Sequence, residues 1–155
     1  MSRIPAIRAA ILATLANVQD VGRTHGFERY AADRTRMRTL YVATIAGAEQ
    51  LRGWFVRRRS FTSTRTGATR RTITTSWEIV GYMAIADEAE TELDFDALID
   101  AIAQVFHDNP DLSGAVTTTI LDDGAGVTLV DSAPVMFAGV LCHAATLRLQ
   151  TRHTE

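Results

Sequence analysis

The stretch TITTSWEIVGYMAI, residues 72–85, decides the fold. Ile73, Thr75, Trp77, Ile79, Gly81, Met83 and Ile85 share one side, and Thr72, Thr74, Ser76, Glu78, Val80 and Tyr82 the other. That is the two-residue period of a strand built from β-branched and aromatic residues. Just upstream, Leu51, Trp54 and Val56 open another strand that runs into Arg57, Arg58 and Arg59, so the two are expected to form a hairpin. Its tip, residues 60–71, is Ser, Thr, Arg and Gly with Phe61 as the only large apolar side chain. Such a segment cannot bury itself, and the expectation is a flexible, arginine-rich arm over about residues 57–71.

Working outward, Ile4, Ile7, Ile11, Leu15 and Val18 recur at helical steps, with Ser2 as a cap and Pro5 in the first turn, where its missing N–H has no partner to lose. The irregular stretch 22–36 reads as a loop, and 37–45 alternates as a strand. Leu93 precedes a second helix capped by Asp94, with Phe95, Leu98, Ile99, Ile102, Val105 and Phe106 as its buried stripe and Asn109-Pro110 as its stop. Further strands are expected at 116–121, at 127–130 after a turn at 122–126, and, beyond Pro134, at 135–149. The order predicts an α+β fold: an antiparallel sheet of four to six strands, two α-helices on one face and a long projecting β-hairpin arm. At 155 residues the chain has room for a single domain over 1–155.

Hydrophobic residues at 46% and charged ones at 22% exclude a disordered chain, and no apolar run is long enough to span a bilayer. The lone cysteine, Cys142, rules out an internal disulfide and any multi-cysteine metal knuckle; without a leader-like segment, the simplest origin is intracellular. The net charge of −2 argues against a general nucleic-acid binder, yet the distribution is lopsided. Residues 23–71 hold twelve arginines against Glu28, Asp33 and Glu49, a net +9; residues 72–147 hold thirteen acids and no arginine, a net −13. Such a chain either neutralises itself or offers unlike faces to copies of itself, and head-to-tail contact closes a ring or grows a filament. All sixteen basic residues are arginine, which suits bidentate interface pairs; codon bias in a G+C-rich genome would produce the same usage.

No catalytic, metal or cofactor site is expected. None of His25, His107, His143 and His153 has a metal-pair spacing, and Cys142 and His143, adjacent on a strand, point to opposite faces. Asp122-Asp123-Gly124 lacks the alternating ligands of a calcium loop, and phosphate-binding glycine runs are missing. The candidate partner-binding residues are therefore Arg57, Arg58, Arg59, Phe61, Arg65, Arg70 and Arg71 on the arm. Asp87, Glu88, Glu90, Glu92 and Asp96 form a candidate acidic face toward a neighbouring subunit.

The layout of helix, hairpin with polar arm, Trp77-Glu78-Ile79-Val80-Gly81-Tyr82-Met83, the helix beginning Phe95-Asp96-Ala97-Leu98-Ile99, and the final segment from Pro134 through Leu141 resembles tail terminator (minor tail) proteins of long-tailed, non-contractile bacteriophages. The resemblance covers nearly the whole chain and is one of layout, with no diagnostic motif. It implies a structural virion protein, not an enzyme, that assembles in the host cytoplasm into a homo-hexameric ring at the tail–neck junction. The ring would cap the tail tube protein, stop its polymerisation and dock the head-completion or neck connector protein. Genomic DNA would pass through its lumen without sequence-specific binding, and no membrane is involved. A neck or head-tail connector subunit, or a small nucleic-acid-binding module, is the alternative.

Overall fold

The computed structural model describes residues 1–122 and 124–155. It is a mixed α/β fold, mostly sheet, with three α-helices. In chain order the elements are α1 (Ile4–Ala16), β1 (Arg23–His25), α2 (Arg34–Thr39), β2 (Val42–Ile45), β3 (Ala48–Arg65), β4 (Arg71–Ala84), a 3₁₀ turn (Asp87–Ala89), α3 (Thr91–His107), β5 (Ile120–Leu121), β6 (Gly124–Ala125), β7 (Val127–Phe137) and β8 (Val140–Thr154). The main sheet runs β1-β3-β4-β8-β7, with β2 paired beside β1 on the outer side of β3. β5 and β6 pair separately.

The two-residue period of residues 72–85 becomes β4, whose alternate residues are buried along its length. Its core-facing side enters one large apolar cluster: Ile7, Ile11 and Leu15 of α1, Phe95, Ile99 and Ile102 of α3, and Trp54, Trp77, Ile79, Leu147 and Leu149 of three adjacent strands. A second, smaller cluster of Tyr41, Leu51, Phe55 and Cys142 is joined by Met37, Leu40, Tyr82 and Phe137. There Tyr82 stacks on Phe137, with centroids 4.1 Å apart, and Tyr41 meets both rings edge-on. Gly81 and Gly53 are needed for close approach: a Cβ at Gly81 would enter the Trp54 indole, and one at Gly53 the Tyr41 ring.

Several expectations give way. The sheet is not wholly antiparallel, because β1, in the stretch read as a loop, lies parallel to β3 with Arg23 opposite Gly53. Residues 37–45 are not one strand: Asp33 caps α2 by accepting the Arg36 N–H at 2.8 Å, and only Val42–Ile45 is extended. α3 begins at Thr91, three residues before Asp94, and Leu93 is exposed, so it does not staple against Leu98. Of residues 116–121, only Ile120–Leu121 is a strand.

The last strand is cut by a two-residue turn. Ala138 and Gly139 have φ of 49° and 80°, the positive values of a tight hairpin turn, so β7 runs through Pro134 and β8 starts at Val140. The alternation read over 135–149 crosses this turn, where it changes face: Phe137 joins the aromatic cluster, whereas Ala145, Leu147 and Leu149 join the large core.

Candidate functional site

The arginine-bearing tip is ordered as sheet. β3 and β4 pair out to Arg65 opposite Arg71, with a bulge at Arg59. β8 backs β4 over the same stretch, Gln150–Thr154 opposite Thr72–Ser76. The tip is therefore the end of a three-stranded sheet, and only residues 66–70 turn beyond it. Backbone pairing with β8, between strands distant in sequence, supplies what the side chains of residues 60–71 lack.

The outer side of β3 is covered by β2 over residues 48–51 and by β1 over 53–55. Arg8 Nη1 then donates to the Val56 carbonyl at 3.2 Å and to that of Gly26 at 2.7 Å, ending the covered stretch. From Arg58 to Arg65 this edge has no strand partner among the described residues.

The arm residues divide by partner. Arg57 donates to Glu78 at 2.8 Å and to Glu28 at 3.0 Å, and the bond to the Glu78 carboxylate raises its pKa above the ordinary guanidinium value. Arg59 lies 3.6 Å from Glu78, and Arg71 2.8 Å from Glu155. Arg65 donates to the carbonyls of Gly67 and Ala68, which closes the turn. Arg58 has no carboxylate partner among the described residues; its guanidinium lies over the exposed Phe61 ring, 5.3 Å from the centroid. Arg70 is exposed and makes no ion pair among the described residues. Internal neutralisation thus takes up Arg57, Arg59 and Arg71 but uses Glu28, Glu78 and Glu155, none of them in the acidic face.

That face sits at the far corner. Glu90, with a left-handed φ of 55°, turns the chain from the 3₁₀ turn into α3. Asp87, Glu88, Glu90, Glu92 and Asp96 are all exposed and, among the described residues, none is in an ion pair. Glu92, in the first turn of α3, also complements the helix dipole. Beneath this turn lies a groove of about 390 Å³ lined by Asp87, Glu90, Glu92, Leu93, Pro134 and His143 among others. Its floor is fixed by the Thr91 hydroxyl, 2.9 Å from His143 Nε2, and by the His143 ring stacked on Phe95. The register sets the two corners apart: Arg58 is level with Trp77 and Leu149, whereas the groove is level with His143, six residues nearer the start of β8 and toward the opposite edge.

Cys142 and His143 do face opposite sides, the first buried with Tyr41 and Phe55, the second on Phe95. Burial pushes the Cys142 thiol up to about 11. His25 gives its Nε2 to the Leu40 carbonyl contact at 2.6 Å, and burial lowers its pKa. His107 ends α3, and His153 is buried 3.4 Å from Glu155. No group of three His, Cys, Asp or Glu side chains could hold a metal among the described residues, and no helix there is long and apolar enough to cross a membrane. Asp123, in the turn compared with a calcium loop, lies outside the described residues.

One surface went unread in the sequence. β7 is an edge strand exposed over nearly its whole length, and Leu129, Val130 and Met136 on it are 52%, 61% and 68% exposed, with Leu93 and Leu141 alongside. Pro134 was its one available signal, since proline within a strand marks an edge. No family model and no curated protein matches the chain.

Proposed function

We propose that this protein is a ring-forming structural subunit of a bacteriophage virion, a tail terminator. In this reading identical copies join head to tail and cap the tail tube, ending its polymerisation. The outer surface docks the neck, and DNA passes through the lumen without sequence-specific contact. The two helices laid on one face of the sheet form the rigid body, and the arginine-bearing hairpin end is the part that reaches a neighbour or the tube.

The observation that carries the reading is the separation of unpaired charge. Arg58 and Arg70 at one end, and Asp87, Glu88, Glu90, Glu92 and Asp96 at the other, have no ion-pair partner within the described chain. A heterologous interface needs two unlike surfaces on one subunit, and complementary potentials speed and orient their meeting. The test is sedimentation and negative-stain microscopy of the purified chain, alone and with growing tail tubes. Rings, and tubes that stop lengthening when the protein is added, are expected. A chain that stays monomeric and leaves tube growth unchanged refutes the proposal. A neck connector would instead form rings that leave tube growth unaffected, and a nucleic-acid module would retain DNA on a filter at moderate salt.

A further inference from the structure

The geometry points to a specific seat between copies: the Arg58–Phe61 corner of one chain enters the groove under the start of α3 of the next, and the apolar residues of β7 close around it. This rests on the ring reading above and names its interface. Six of the eleven exposed large apolar side chains, Leu93, Leu129, Val130, Val135, Met136 and Leu141, lie on or beside the β7 edge. A cluster of this kind with a charged rim has the anatomy of a protein–protein contact, an apolar centre inside a polar border.

Charge selects the occupant. The rim of the groove is Asp87, Glu90 and Glu92, all without ion-pair partners among the described residues. A second β7 edge placed there by two-fold symmetry would bring these carboxylates against their own copies, which costs free energy. The opposite corner of the same chain offers the complement: Arg58, which has no carboxylate partner among the described residues, stacked on Phe61, whose ring is 56% exposed. An aromatic ring and a guanidinium together are the side-chain types that dominate interface energetics.

The contact is through side chains and not through a continued sheet. Phe137 and Val140 close the two-residue turn as a hydrogen-bonded pair, so alternation places Pro134 with its N-side facing outward, where it offers no donor. The register shift at Val130 interrupts the other half of the edge. An edge broken in this way resists strand addition but leaves its side chains free to pack.

Mixed-chain cross-linking tests the seat. Ser63→Cys marks the basic corner and Leu93→Cys the groove, both at exposed positions, while the native Cys142 is buried. With a short bismaleimide, a mixture of the two single variants is expected to give a covalent dimer that neither variant gives alone. In addition, Arg58→Glu or Glu92→Arg should each weaken self-association about 30-fold, and the double reversal should restore it to within about threefold of the parent chain. Thermal melting of each variant verifies that it folds. Rings that form without the mixed cross-link, a cross-link in Leu93→Cys alone, or reversals that leave association unchanged overturn the seat while the ring stands. A parent chain that is monomeric at every concentration, with and without tube ends, overturns the ring and the seat together.

Discussion

Gly81→Ala should be among the most destabilising single-methyl additions the chain can suffer. Gly81 lies directly opposite Trp54 in the β3–β4 register, and an added Cβ would fall on Cε3, Cδ2 and Cζ3 of the indole. The ring cannot step aside, because Trp54 has no exposed surface and lies stacked on Phe95 at 5.9 Å with 16° between planes. Overpacking alone costs about 1–3 kcal/mol, and displacing a buried tryptophan approaches the ~3–5 kcal/mol of its removal, so about 3 kcal/mol is expected. With a urea m-value near ~2 kcal/mol/M, the unfolding midpoint should fall by about 1.5 M. Trp54→Phe makes room and also removes an indole N–H that is buried without a hydrogen-bond partner among the described residues. The double variant should then be less destabilised than the sum of the singles by at least about 1 kcal/mol. Urea titration followed by near-ultraviolet circular dichroism gives all four corners of the cycle. A Gly81→Ala cost below about 1 kcal/mol, or an additive cycle, would show that the core behind β4 is not packed as described.

Two threonines of similar burial should respond oppositely to valine. The Thr151 hydroxyl accepts the Trp77 Nε1–H at 3.0 Å, so Thr151→Val strands a buried donor and should cost about 1–3 kcal/mol; the Thr75 hydroxyl has no partner among the described residues, so Thr75→Val should be neutral or stabilising in the same urea titration. The Cys142 thiol, held near 11 by burial, should resist an aromatic disulfide reagent at pH 8 in the folded protein and react once per chain after denaturation; rapid labelling of the native state would contradict its placement. Glu155 accepts from the Arg71 guanidinium and from the Arg3 N–H at the start of α1, and these bonds hold its carboxyl at about 2, below the ordinary 4.5. Its folded pKa is depressed, so its contribution is complete above about pH 4.5 and is lost as pH falls through about 2. The melting temperatures of the parent chain and Glu155→Gln should therefore differ at pH 6 and converge near pH 2, and a gap that persists at pH 2 would refute the assignment.

The legible parts of the fold were those with one period and one buried side. The Ile7-Ile11-Leu15 stripe of α1, the Phe95–Phe106 stripe of α3 and the alternation of β4 each name their buried residues before any contact is known. α2 was misread because Met37 to Ile45 alternates by chance, while the deciding contact is the Asp33 cap on Arg36. β1 was missed because three residues carry no period, and its pairing with Gly53–Phe55 depends on a strand some 30 residues away. The candidate surfaces divide in the same way. Both charged runs were visible in composition, whereas the apolar β7 edge was not, since nothing local tells an exposed strand from a buried one.

Local chemistry alone settled that α1 and α3 coil, that β4 extends, and that opposite charges are stored in different halves of the chain, because backbone propensity and side-chain spacing act over a few residues. Tertiary structure settled the rest: that β8 backs the arginine-bearing hairpin end, that Glu28, Glu78 and Glu155 neutralise part of it, and that Arg58 and Arg70 and the carboxylates without ion pairs among the described residues stand at opposite corners of one sheet. Those outcomes depend on the strand order β3-β4-β8-β7 and on its register, and both follow from burying two apolar faces at once, a condition that no short stretch of the chain contains.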